Sequence, residues 1–265
     1  MKIGLFDSGL GGLMVTHSLI QAMPEYDYVY LGDTARVPYG NRSQEVIYEF
    51  TKNAVEYLCE QDCKLILIAC NTASAEALGK IQQEYLPAQY PDRKVLGVLI
   101  PATEEVVAQT HNNTVGIIAT AGTVNSGTYI KEIQKLNPGI SVIQQATPLL
   151  VPLIENNALK YAGPILDDYL APLLQANIDT LVLGCTHYPF LKEAIRRKVG
   201  NVTVISQDEI VPKKLRDYLD RHPDIDAKLT KTGSRQFLTT DLAPSTNEVA
   251  ALLFGGVIDL EKVSF

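Results

Sequence analysis

The sequence predicts an α/β protein of two pseudo-symmetric lobes, each a mostly parallel sheet flanked by helices, with an active site in the cleft between them. Three observations lead there. Short, continuously apolar runs alternate with longer stretches of helical periodicity, the pattern of strands covered on both faces by crossover helices. Two of those runs end in a cysteine in matching settings, LILIACNTASA at Leu65–Ala75 and LVLGCTHYPFL at Leu181–Leu191. Two earlier runs match as well, IGLFDSG at Ile3–Gly9 and VGIIATAG at Val115–Gly122; the offset is 112 residues from Ile3 to Val115 and 115 from Cys70 to Cys185. A near-constant offset over strand–turn–helix units reads as a duplicated unit. Each copy sets its cysteine at the carboxyl end of a strand, where open α/β sheets bind ligands.

In chain order, apolar runs predict strands at Lys2–Phe6, Tyr28–Leu31, Lys64–Ala69, Val95–Val98, Thr114–Ala119, Ile140–Gln144, Thr180–Leu183 and Val202–Ile205. Helical periodicity fills the intervals near Gly12–Met23, Ser43–Cys59, Ala73–Tyr85, Ala102–Thr110, Ser126–Leu136, Tyr161–Gln175 and Phe190–Val199. Breaks near Gly97–Pro101 and Ser206–Asp208 divide the chain into a first lobe of residues 1–97 with 208–265 and a second of residues 98–207. The segment from Lys213 is too short for a third lobe. It is expected to return to the first, with Arg235–Thr239 as an edge strand and Ser245 capping a final helix through Phe254.

The 265 residues suffice for a sizeable core, and 46% hydrophobic against 20% charged residues without low-complexity tracts is the balance of a folded globular protein. A net charge of −7 argues against a general nucleic-acid or anionic-membrane surface. The densest basic run, Arg196–Lys198, reads as a helix end complementing the helix dipole. The amino terminus enters a strand at once, with no secretory apolar region, and no run reaches the length of a membrane span. Four cysteines make no disulfide framework, so a reducing cytoplasm is the expected compartment.

Two thiols facing each other across a cleft suit racemisation or epimerisation: one removes a proton from one face of a carbon while the other returns one to the opposite face. Taken singly, each could equally be a small buried core residue. A thiol at the amino end of a helix gains from backbone N–H groups and the helix dipole, which favour thiolate, and both Cys70 and Cys185 are expected to feel this. Asp7, at the end of the first strand, could emerge beside Cys70, and His187 follows Cys185 by two residues, so each thiol has a candidate proton partner. Either partner could instead be structural, Asp7 as a turn or capping residue.

The turn Asp7–Gly12 is glycine-rich but matches neither nucleotide-loop signature; its backbone N–H groups and Ser8 could cradle a carboxylate. Asn71, Thr72, Thr120, Thr123 and Thr186 cluster at strand ends, where hydroxyls and amides suit a small dicarboxylate. The loop Gly32–Gly40, carrying Arg36, Pro38 and Tyr39, could close over one end of a substrate. Cys59 and Cys63 read as structural, the four histidines have no zinc spacing, and no metal or cofactor is expected.

FDSGLGG at Phe6–Gly12, GDTARVPYG at Gly32–Gly40, ACNTASA at Ala69–Ala75, PLLVPLIE at Pro148–Glu155 and LGCTHYP at Leu183–Pro189 occur in this order over most of the chain. Together they closely resemble the bacterial glutamate racemases of the aspartate/glutamate racemase superfamily. The resemblance implies a cofactor-independent enzyme that interconverts L- and D-glutamate and supplies D-glutamate for peptidoglycan. By that likeness Cys70 takes the α-proton from D-glutamate and Cys185 from L-glutamate, assisted by Asp7, His187 and Glu155. Ser8, Pro38, Tyr39, Gly40, Asn71, Thr72, Thr120, Thr123 and Thr186 would hold the substrate. Glu155 enters only through the likeness, since a lone carboxylate in a helix is usually solvated. The implied partner is a small molecule, glutamate, with no nucleic acid or membrane, and a homodimer is allowed.

At Val204–Ile210 (VISQDEI) the chain departs from the Asp-Ser pair that follows this strand in many relatives, carrying Ser206 and Gln207. It also begins at its first strand, so activation by a peptidoglycan precursor, a trait of relatives with an amino-terminal extension, is not expected. Two alternatives to glutamate racemisation stay open. One is a racemase for another small acid, such as aspartate or a hydantoin. The other is a regulatory binding role, since some relatives inhibit DNA gyrase.

Overall fold

The computed structural model describes all 265 residues. Ten strands form: β1 (Lys2–Asp7), β2 (Tyr28–Gly32), β3 (Cys63–Ile68), β4 (Lys94–Gly97), β5 (Thr114–Ala119), β6 (Ser141–Ala146), β7 (Thr180–Gly184), β8 (Thr203–Ile205), β9 (Arg235–Thr239) and β10 (Leu260–Lys262). They make two sheets, ordered β10-β9-β2-β1-β3-β4 and β6-β5-β7-β8, and every pairing in both is parallel. The order β2-β1-β3-β4 recurs as β6-β5-β7-β8, so the repeat in the sequence is a repeat of topology. In each copy the order reverses between the first strand and the cysteine-bearing strand. That switch point opens a crevice at the carboxyl ends of the strands.

Alternation along the strands sorts the core of the first sheet. Ile3, Leu5, Tyr28, Tyr30, Leu65 and Leu67 share one packed cluster with the apolar residues of the second sheet. Phe6, Val29, Leu31, Ile66 and Ile68 face the other way, into a separate cluster with Ile47, Val55 and Leu58 of the Gln44–Glu60 helix. The continuous first cluster joins the two sheets through the helices Gly12–Ala22, Leu99–Gln109 and Gln207–Arg221. Fully burying one such aliphatic or aromatic side chain stabilises by about 1.5–3 kcal/mol.

Several elements depart from the sequence expectation. Arg235–Thr239 is no edge strand, for β9 lies between β2 and β10; the edge is β10, whose Glu261 and Lys262 are exposed and carry no apolar signal. Ser245 precedes the Thr246–Phe254 helix but caps nothing with its side chain, because its backbone is already helical (φ −87°, ψ −7°). The helix expected over Ser126–Leu136 is two, Ala121–Ser126 and Thr128–Leu136, divided at Gly127 with its left-handed φ of 63°. The one expected over Ala73–Tyr85 begins at Asn71 and passes through a π-helical turn at Ile81–Tyr85. The Gln207–Arg221 helix, not anticipated, contains Pro212 and packs on Gly12–Ala22.

Candidate active site

Ser8, Cys70, Thr120 and Cys185 follow β1, β3, β5 and β7, and all four line one cavity of about 380 Å³ between the two sheets. That volume lies at the small end of ligand pockets, about 300–1,000 Å³. Its lining includes every sequence-predicted site residue except Asp7 and Thr123, which sit one layer behind and are fully buried. It contains no Lys or Arg, and Glu155 and His187 are its titratable side chains besides the thiols and Tyr39. An anionic ligand here would be met by hydroxyls and N–H groups, with His187 as the one side chain of the lining that can carry positive charge.

The two thiols are supported differently. Cys70 is the N-cap of the Asn71–Glu76 helix; its Sγ accepts from the Ala73 N–H at 3.4 Å and lies 3.4 Å from the Ser8 hydroxyl. The expected gain from the helix terminus is present but outweighed. Burial, then the neighbouring Asp7 charge, pushes the Cys70 thiol up to about 12 against the pull of Ser8 and Ala73. Asp7 makes no hydrogen bond to Cys70. Its carboxylate accepts from the Gly9 N–H at 3.0 Å and from the Thr186 hydroxyl of the opposite lobe at 3.2 Å, and burial raises its pKa despite His187 and those donors.

Cys185 does not sit at an α-helix terminus. A turn and a 3₁₀ segment, Tyr188–Leu191, follow it, and the α-helix begins only at Lys192. The sulfur faces His187 instead, at 3.8 Å from Nδ1, while His187 Nε2 lies 3.0 Å from Glu155 Oε1. Burial disfavours the imidazolium, but hydrogen bonds and charge from Cys185 and Glu155 carry His187 up to about 10. A relay Cys185–His187–Glu155 thus runs from the cavity toward solvent, Glu155 being partly exposed.

Thr72, Thr120 and Thr123 bring three hydroxyls within 2.9–3.2 Å of one another across the two lobes. Tyr39 lines the cavity, yet its hydroxyl donates to Asp33 at 2.5 Å. Arg36 does not close over the cavity as the loop suggested. Its Nε donates to the same Asp33 at 2.6 Å, and its guanidinium stacks between Phe50 and Phe265. Asn71 lines the cavity while its carboxamide is engaged by Gln207 and Tyr129. The lobes meet closely at two glycines: a Cβ on Gly11 would overlap Thr186 and His187, and one on Gly122 would come within 2.9 Å of the Gly40 carbonyl.

Sequence reasoning missed Thr147, Pro148, Val151 and Pro152 of the lining. A signal existed, since residues 148, 151, 152 and 155 repeat with helical spacing around the Leu150–Glu155 helix and place Glu155's neighbours on its own face. Cys59 and Cys63 are buried thiols outside the cavity, both pushed up to about 12 by burial. No group of three or more His, Cys, Asp or Glu is arranged to hold a metal ion, and no helix is long and apolar enough to cross a membrane.

Residues 4–211 match the family model described as Asp/Glu/Hydantoin racemase. Glutamate racemase of Geobacter metallireducens is 38% identical over 267 aligned positions, covering 99% of this chain and 96% of the relative. Among solved structures, a glutamate racemase isoform from Bacillus anthracis superposes with a TM-score of 0.90 at 34% identity, covering 99% of this chain and 97% of that one. The glutamate racemase of Francisella tularensis, solved in complex with D-glutamate, gives 0.89 at 34% identity with the same coverage.

Proposed function

The chain belongs to the Asp/Glu/hydantoin racemase family, and from that premise we propose that it interconverts L- and D-glutamate with Cys70 and Cys185 as its two bases. The observation that carries this is the pair of thiols from equivalent strands of two sheets, lining one small cavity. With D-glutamate bound, the Cys70 thiolate takes the α-proton and the Cys185 thiol delivers its own proton to the opposite face. L-Glutamate, a Cys70 thiol and a Cys185 thiolate result, and the reverse reaction exchanges the roles. Both the acid and the base are protein thiols, so the reading requires no cofactor.

His187 sits where it can hold or return the proton of Cys185, and Glu155 steadies the imidazolium. Asp7, behind the cavity, bonds Thr186 across the cleft and so ties the Ser8 turn to the Cys185 turn. Ser8, Gly40, Thr72, Thr120 and Thr186 offer hydroxyl and N–H donors for the two carboxylates, Thr123 backs the Thr72 and Thr120 hydroxyls from behind, and Pro38 and Tyr39 form the loop wall. Donors aimed at the α-carboxylate stabilise the carbanionic transition state, the costliest species on the path. The product would supply cytoplasmic peptidoglycan synthesis. Sheet membership supports a division into residues 1–97 with 208–265 and residues 98–207.

The test is incubation with either enantiomer in deuterated buffer without added cofactor, following optical rotation and the α-proton NMR signal. Inversion accompanied by deuterium gain from both sides is expected. Faster turnover of aspartate would move the substrate assignment, and no exchange with either acid would overturn the mechanism.

A further inference from the structure

One buried polar contact between the lobes has no part in the scheme above. Asn71, the residue after Cys70, and Gln207, the first residue of the Gln207–Arg221 helix, form a reciprocal amide pair. Asn71 Nδ2 donates to Gln207 Oε1 at 2.9 Å, and Gln207 Nε2 donates to Asn71 Oδ1 at 2.6 Å. The Tyr129 hydroxyl, from the Thr128–Leu136 helix, donates to the same Oδ1 at 2.8 Å. Asn71 and Gln207 are 2% and 1% exposed, and Tyr129 is fully buried.

The donor inventory gives this arrangement a chemical consequence. A carboxamide has one oxygen with two lone pairs and one nitrogen with two hydrogens. Both lone pairs of Asn71 Oδ1 and one of its two N–H hydrogens are already in use. What Asn71 can still offer the cavity is a single N–H, a donor suited to a carboxylate and useless to an ammonium group. The same pair pins the backbone turn that carries Cys70 against the segment where the chain leaves β8 of the other sheet.

We propose that Gln207 is a positioning residue: its amide latches the Asn71 carboxamide in one orientation and holds the Cys70 turn at a fixed depth opposite Cys185. This rests on the two-thiol reading, and its action passes entirely through Asn71. Loss of the latch leaves the Asn71 carboxamide with Tyr129 as its one remaining side-chain partner, and Cys70 loses its alignment with the α-carbon while Cys185 keeps its own supports.

The experiment is a double-mutant cycle of Asn71→Ala and Gln207→Ala in the full-length protein, with Gln207→Met as a variant of similar volume that lacks the amide. Gln207→Ala and Gln207→Met are expected to lower kcat about tenfold in both directions with little change in KM, because misalignment of the reacting atoms and not substrate affinity is affected. In the Asn71→Ala background, Gln207→Ala is expected to add less than about twofold, the signature of a shared interaction. The α-deuterium isotope effect should rise with D-glutamate, whose proton Cys70 removes, and not with L-glutamate. Full additivity, an equal change in isotope effect for both enantiomers, or a Gln207→Met enzyme within twofold of wild type would overturn the proposal. Wild-type exchange in the same assay tests the two-thiol reading separately. The same cycle followed by thermal unfolding reads the Asn71–Gln207 coupling without substrate, and additive melting shifts there would remove the latch whichever acid is turned over.

Discussion

Cys70 and Cys185 end topologically equivalent strands, β3 and β7, yet opposite kinds of chemistry surround them. The first thiol is held by backbone and hydroxyl: an N-cap bond from Ala73 and the Ser8 side chain. The second faces a histidine backed by a carboxylate. Duplication copied the place of the thiol, since strand order determines where a residue after a strand emerges. It did not copy the environment, which depends on the one or two residues that follow. An α-helix starts at Asn71 directly after Cys70, whereas a turn and the Tyr188–Leu191 3₁₀ segment follow Cys185 and set an imidazole beside the sulfur. In the proposed reaction one thiol would work without a titratable hydrogen-bond partner and the other with an imidazole beside it.

The largest effect expected from breaking this pair is removal of either thiol. Cys70→Ala and Cys185→Ala should each lower racemisation by at least ~10³-fold in both directions, at the upper part of the range for a lost acid–base group. Polarimetry with each enantiomer checks this, and an active single-thiol variant would end the two-base account.

Gly11→Ala sharpens the comparison from the second thiol's side. The added methyl has no room beside Thr186 and His187, so a loss of about 100-fold in kcat/KM is expected from displacement of the relay. Gly79→Ala, with nothing within 4 Å of the new methyl, is the control and should be silent.

Of the two thiols, Ser8→Ala touches only the first. Loss of its hydrogen bond to Cys70 should cost about tenfold, the scale of one hydrogen bond to a charged group. The deuterium isotope effect should rise with D-glutamate only.

The smallest effect is thermodynamic and belongs to the second site. His187 is raised in the fold, from 6.5 to about 10, so its pairing with Cys185 and Glu155 contributes fully below about 6.5 and is lost as pH climbs toward 10. The gap in thermal midpoint between wild type and His187→Gln should therefore be a few degrees at pH 6 and shrink by pH 10. A gap that widened with pH would mean that His187 is neutral in the fold.

Much of this was legible in the chain because strands buried on both faces must be apolar throughout. The runs before Cys70 and Cys185, and their matched offset, therefore announced two sheets with a thiol at each switch point. Elements without that pressure were not legible: β10 is three residues with two exposed, and the Gln207–Arg221 helix hides a proline. Glu155 came from family likeness alone. Its contact with His187 spans 32 residues, and nothing local distinguishes it from a solvated helix carboxylate.

By itself the sequence determined the α/β class, the repeated unit and the position of both cysteines, because each follows from local periodicity and from the chain geometry of a parallel sheet. Only the tertiary structure decided what those cysteines face. It turned Arg36 away from the cavity to Asp33, gave Asp7 a hydrogen bond from Thr186 and none with the neighbouring Cys70, and engaged Asn71 with Gln207 136 residues away. Hydrogen-bond partners of buried polar groups are chosen by which donors and acceptors the packed lobes bring within about 3 Å. No spacing along one chain segment encodes that choice.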